Sequence, residues 1–191
     1  MYYKNYKIYG WFRTSQMTWY KSFAEQVKNG KIVEVGVFGG ASLLSITETC
    51  IVNNTKLYGV DPWDKLTKAF PKQSLSETRK DMNFLRLNLM KIITELNYQN
   101  TVTLKRDFSV DAAKKFDDED LDLIFIDGNH EYKNVYNDLQ SWIPKLKPNC
   151  WMIGHDYRKR PVGKAVREFC RQNKLKVTSK IDNTCWEFKK I

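Results

Sequence analysis

Three features of the sequence predict an α/β fold. Short apolar strands alternate with amphipathic helical stretches along most of the chain. The first of these strands ends in glycines and runs straight into a helix, Lys31-Ile-Val-Glu-Val-Gly-Val-Phe-Gly-Gly-Ala-Ser42. The last two strands, Leu175 to Ile181 and Thr184 to Phe188, are separated only by the turn Asp182-Asn183. Strand–helix units closed by a hairpin imply a mostly parallel sheet of seven strands, helices on both faces, and a C-terminal antiparallel hairpin.

The elements follow in order. Thr18 to Val27 reads as a helix with Trp19, Phe23 and Val27 on one face. Lys31 to Gly36 is the first strand of the parallel sheet, followed by a helix over Ala41 to Val52. Lys56 to Asp61 is the second strand. Leu75 to Leu96 is helical, with Leu85, Leu89, Ile92, Ile93 and Leu96 at helical spacing. Thr101 to Lys105 is the third strand, with a short helix, Ser109 to Phe116, after it. Leu121 to Ile126 is apolar enough to lie at the centre of the sheet. Tyr132, Val135, Leu139, Trp142 and Leu146 mark the next helix. Cys150 to Ile153 is the fifth strand, and Val162, Val166, Phe169 and Cys170 line the helix that follows it.

With 191 residues and no repeat, linker or composition break, the chain reads as one domain, 1–191, with a helical N-terminal extension over 1–29. No run of eighteen apolar residues exists to span a membrane. The segment Met1 to Lys7 lacks the apolar centre of a signal peptide. Cys50, Cys150, Cys170 and Cys185 form no Cys-x-x-Cys pair, so they read as reduced thiols of a cytoplasmic protein. A net charge of +10 favours an anionic partner, nucleic acid included. Its one compact cluster is Arg158-Lys-Arg160 with Lys164, Arg167 and Arg171, which reads equally as a solvated helix face.

Ligands of such sheets sit beyond the carboxyl ends of the strands, near the switch in strand order. Several acids and glycines fall there. Glu34 is a carboxylate inside a buried strand, expensive unless something uses it. Gly36, Gly39 and Gly40 permit close backbone approach to a ligand. Asp61 can accept from both hydroxyls of a ribose, or start a turn with Pro62. Asp107 can accept from an adenine amino group, with Phe108 on the ring, or cap the next helix. The spacing Gly36-Val-Phe-Gly39-Gly40 breaks the Gly-x-Gly-x-x-Gly of dinucleotide sites. It suits S-adenosylmethionine, which needs no pyrophosphate cradle. The expected cofactor contacts are Glu34, Gly36, Val37, Phe38, Gly39, Gly40, Ser42, Asp61, Trp63, Asp107, Phe108 and Asp127.

Downstream lie Ile126-Asp-Gly-Asn-His-Glu-Tyr132, Val135, Asp138-Leu139, Leu146-Lys-Pro-Asn149 and Gly154-His-Asp-Tyr157. With the glycine loop, this ordered series resembles the class I S-adenosylmethionine-dependent methyltransferases, which share a Rossmann-like sandwich. Within them it looks most like the group of macrocin-type O-methyltransferases and cephalosporin-hydroxylase-like proteins. The resemblance implies methyl transfer to the hydroxyl of a small-molecule or sugar acceptor. It makes Asp127 and Asp156 candidate ligands of Mg²⁺ or another divalent metal. His155 stands where some relatives carry another acid, and suits a transition metal better. Asp127 and His130 are the catalytic candidates. His130 suits a base by its reference pKa, and equally could orient a metal site or cap a helix. The Asn/Asp-Pro-Pro-Tyr/Phe motif of amino-methylating enzymes is absent. The alternatives are an RNA ribose 2′-O-methyltransferase, which the charge suits, and a non-catalytic cofactor-binding interaction domain. The stretch ahead of Lys31 is short and no long insertion could form a lid. That implies an open pocket, or one completed by a second subunit of a homodimer.

Overall fold

The computed structural model describes residues 1–63, 82–181 and 183–191. The expected helix start at Leu75 and the turn residue Asp182 lie outside the described residues. A two-stranded hairpin, β1 (Tyr2–Tyr3) and β2 (Tyr6–Lys7), precedes α1 (Thr14–Ala24). Then come β3 (Lys31–Val35), α2 (Ala41–Val52), β4 (Lys56–Asp61), α3 (Met82–Glu95), β5 (Val102–Arg106) and α4 (Ser109–Ala113). The second half holds β6 (Leu121–Ile126), α5 (Tyr132–Trp142), β7 (Leu146–Gly154), α6 (Arg160–Gln172), β8 (Thr178–Lys180) and β9 (Cys185–Lys189).

The main sheet has seven strands in the order β5-β4-β3-β6-β7-β9-β8. The strands β5 to β7 of that order pair in parallel, and β9 is antiparallel to both neighbours. This is the expected mostly parallel sheet with its C-terminal antiparallel hairpin. The chain leaves β3 toward β4 and β5, then returns to lay β6 on the other side of β3. That reversal opens a crevice above the carboxyl ends of β3 and β6.

Two apolar layers cover the sheet. One face packs Tyr20 and Phe23 of α1, Leu43 and Ile46 of α2, and Leu89 and Ile92 of α3 against Ile32, Leu57, Leu123 and Phe125. The other packs Val135, Leu139 and Trp142 of α5 and Val162, Val166 and Phe169 of α6 against Val33, Val35, Ile124 and Met152. Burying each such side chain contributes about 1.5–3 kcal/mol. The β3 and β6 residues alternate between the layers, as period-two geometry requires. Glu34 interrupts the pattern as a fully buried acid.

Several boundaries differ from expectation. α1 begins at Thr14, ahead of Thr18, because the Arg13 amide donates to Gln16 Oε1 (2.8 Å) and closes the first turn. It ends at Ala24, so Val27 is buried from beyond the helix. β7 starts at Leu146 rather than Cys150, because Leu146 already pairs with Leu121. α4 stops at Ala113 and β8 is confined to Thr178–Lys180.

Candidate active site

A cavity of about 850 Å³ opens above the carboxyl ends of β3, β4, β6 and β7, a size typical of ligand sites. Its walls include Gly36, Val37, Phe38, Ser42, Asp61 and Phe108 on one side, and Asp127, His130, His155, Asp156 and Lys159 on the other.

The first side is a backbone structure. Asp61, buried at the end of β4, accepts from the Phe38 amide (2.9 Å) and the Trp63 amide (2.7 Å). Burial raises its pKa, and those backbone donors oppose the rise. Its carboxylate still lines the cavity, so a lone pair on each oxygen is left for a ligand. Trp63 is buried beneath the loop, its indole donating to the Phe38 carbonyl (2.8 Å). It therefore supports the loop and does not line the cavity.

The glycines have reasons the sequence did not reveal. A Cβ on Gly36 (φ +91°) would lie 2.2 Å from the Asp127 carbonyl oxygen, where the β3 and β6 ends cross. One on Gly39 would meet the Tyr9 carbonyl at 2.4 Å, and one on Gly40 (φ +85°) the Leu89 side chain at 2.5 Å. The close approaches are to protein, and only Gly36 of the three lines the cavity.

Glu34 and Asp107 also stand apart from the cavity wall. Glu34 faces the opposite layer, where Ser42 Oγ donates to its Oε1 (2.5 Å). Neither its Oε2 nor the adjacent Tyr20 hydroxyl completes a hydrogen bond among the described residues. Desolvation pushes its pKa up to about 8, against the lowering effect of Ser42. Ser42, its hydrogen-bond partner, does line the cavity. Asp107 is drawn away by an ion pair with Lys115, while Phe108, 60% exposed, presents its ring to the cavity.

The second side is a cluster of charges. His130 Nε2 lies 2.7 Å from Asp156 Oδ2 and 4.0 Å from Asp127 Oδ1. Burial works against a charged His130, but the two carboxylates outweigh it and hold its pKa up to about 9. The two carboxylates thus favour the protonated ring, which opposes the free-base role the sequence suggested. Asp156 has a left-handed backbone (φ +58°), which aims its carboxylate inward. Desolvation opposes its ionisation, yet hydrogen bonds from His130 and Lys159 hold its pKa well below the usual range.

Ligand atoms of Asp127, His130 and Asp156 lie within 4.8 Å of one another, a spacing that suits a divalent ion. His130 takes the place expected for His155 in this group. The Gln16 amide faces His155 Nε2 at 2.8 Å, and because Gln16 Oε1 already accepts from Arg13, its nitrogen is the donor. His155 Nδ1 then carries the hydrogen, pointing at Asp127 Oδ1 3.5 Å away. With both ring nitrogens so engaged, His155 orients Asp127 and offers no lone pair to a metal. The fit for an ion is further limited by Lys159, whose Nζ lies 2.6 Å from Asp156 Oδ2.

The N-terminal residues supply a wall that sequence reasoning missed. Tyr9 bridges to Gly40, Trp11 stacks on Phe38 (5.2 Å, 24°), and Phe12 meets His155 edge-on. The chain's own first residues thus cover part of the crevice expected to be open. Asp138, named in the sequence only as part of the resembling series and given no role, lines the cavity from α5, and burial lifts its pKa to about 6. The signals were faint, a glycine beside aromatics at Tyr9-Gly10-Trp11 and an acid on the apolar face of α5. No helix of the described residues is long and apolar enough to cross a membrane.

Residues 33–157 match the model of a family described as a methyltransferase domain. Solved structures share the fold. The O-methyltransferase NovP has a TM-score of 0.70 at 16% identity, covering 92% of this chain and 79% of its own. An S-adenosylhomocysteine-bound methyltransferase from Podospora anserina, PaMTH1, has a TM-score of 0.66 at 13% identity, covering 94% and 79%. An S-adenosylmethionine-dependent O-methyltransferase from Thermotoga maritima has a TM-score of 0.67 at 12% identity, covering 98% and 69%. In sequence, the Sinorhizobium fredii protein y4gI is 26% identical over 147 residues, 73% of this chain and 14% of that protein. This chain therefore spans a small part of that relative.

Proposed function

We propose that this chain, which belongs to the methyltransferase domain family, is an S-adenosylmethionine-dependent enzyme that O-methylates the hydroxyl of a small-molecule or sugar acceptor. The observation that carries this reading is the division of one cavity between a backbone-built rim and a facing cluster of acids and cations. The cofactor supplies an electrophilic methyl group on sulfur. Asp61 would accept from its ribose hydroxyls, Phe108 would cover its adenine, and the β3–α2 loop would close over its amino-acid end. On the far wall the acceptor hydroxyl forms the new O–C bond as the methyl–sulfur bond breaks with its electron pair to sulfur. Asp127, held by His155, takes the hydroxyl proton. His130 presents positive charge to the oxygen as that proton leaves. Incubation with methyl-labelled cofactor and a panel of sugars, phenols and other small alcohols tests this: label should appear as an acid-stable methyl ether. Transfer to amines or thiols alone would refute it.

One observation favours a second reading, ribose methylation in RNA. Arg158, Arg160, Lys164, Arg167 and Arg171 are exposed along the start and outer face of α6, and none has an ion pair among the described residues. Steeply salt-dependent oligonucleotide binding and labelled 2′-O-methyl ribose would support it.

A further inference from the structure

Lys159 was expected only as part of the basic cluster Arg158-Lys-Arg160, yet the fold aims it at the cavity. It is the N-cap residue of α6, and its backbone amide donates to the Asp156 carbonyl (2.8 Å) in a tight turn. The same turn brings its Nζ within 2.6 Å of Asp156 Oδ2 and within 3.3 and 3.4 Å of the two ring nitrogens of His130. Its side chain also lines the cavity. The ammonium therefore sits against two of the three groups whose ligand atoms converge at the acceptor wall, Asp127, His130 and Asp156. A divalent ion held by those three would have to displace it, or bear a like charge within contact distance.

We propose that Lys159 is the resident cation of the acceptor site: its ammonium fills the place a divalent ion would take, holds Asp156 in position beside His130, and lets the acceptor bind and react without a metal. The reaction class rests on the O-methyltransferase reading, but the cation exclusion does not, since it can be measured with no acceptor present. Lys159 is accordingly a positioning residue whose charge, not its bulk, matters.

Manganese(II) titration of the full chain, followed by electron paramagnetic resonance of free ion, tests this directly. The wild type should show no saturable uptake below about 1 mM. Lys159→Met should gain one site, at least about tenfold tighter, because a repelling charge is gone. That gain should vanish in Lys159→Met combined with Asp127→Asn. Lys159→Arg, which keeps the charge, should remain refractory. Saturable wild-type binding that Asp127→Asn abolishes would overturn the proposal, and this arm holds even if Lys159→Met does not fold. Equal ion affinity in a folded Lys159→Met and the wild type would overturn it as well. A separate titration with S-adenosylhomocysteine reports on the methyltransferase reading, so failure of one is told apart from failure of the other.

Discussion

The two walls of the cavity are built on opposite principles. The β3–β4 rim is a backbone site: Asp61 spends both oxygens on amides, Trp63 props the loop from below, and Gly36 lets two strand ends touch. The β6–β7 rim is a side-chain site: Asp127, Asp156, His130 and Lys159 cluster as charged groups, with His155 set against Asp127. A backbone site shapes a pocket for a ligand common to many enzymes. A side-chain site sets the chemistry. Damage should therefore read out differently on the two sides, in folding and cofactor affinity for the first, in turnover for the second.

The largest expected effect is on the backbone side. Gly36→Ala forces a methyl group onto the Asp127 carbonyl at a left-handed position, and should cost about 3 kcal/mol or more, seen as loss of the cooperative urea transition. A mild effect would mean the strand ends have room to separate. Next comes Asp61→Ala, which strands the buried amides of Phe38 and Trp63 at about 1–3 kcal/mol each and should also weaken S-adenosylhomocysteine binding at least about tenfold.

A smaller effect is readable in pH. Glu34 has its folded pKa raised to about 8 by desolvation, so the folded state binds more protons than the unfolded one between pH 4.5 and about 8. Its contribution to stability is therefore greatest at low pH and declines as pH rises through that window. Glu34→Gln should flatten the decline and raise stability at pH 8, as followed by denaturant midpoints. His130, raised from 6.5 to about 9, adds a loss of the same sign between those values, which Glu34→Gln should leave in place. Phe108→Ala should cost S-adenosylhomocysteine only about 0.5–1.5 kcal/mol of affinity, the range of an aromatic contact. The smallest change in cofactor affinity belongs to Asp156→Ala, within about threefold by calorimetry, although labelled methyl transfer should be abolished.

The architecture was legible because its signals are local. Leu121 to Ile126 is apolar on both faces, and its neighbours repeat the strand–helix alternation. The convergence of Asp61, Phe108, Asp127, His130 and Asp156 followed from one rule, that they end strands. What failed to show were contacts between segments far apart in sequence. Gly39 and Gly40 looked like ligand glycines, but Tyr9 and Leu89 occupy their space. Glu34 looked like a cofactor ligand because strand position is readable, whereas the face it turns to depends on register. His155 looked like a metal ligand until Gln16, 139 positions away, took its Nε2. Lys159 was read only as one cation of the cluster Arg158-Lys-Arg160, and the turn at Asp156 is what separates it from its neighbours.

The claim on which the rest depends is that the β3–β4 rim receives the adenosyl donor. Isothermal titration of the wild type, Asp61→Ala and Asp156→Ala with S-adenosylhomocysteine tests it most directly. One saturable site in the wild type, weakened at least about tenfold in Asp61→Ala and kept within about threefold in Asp156→Ala, is the predicted result. No binding to the folded wild type up to about 1 mM ligand, or a site destroyed by Asp156→Ala and indifferent to Asp61→Ala, would contradict it.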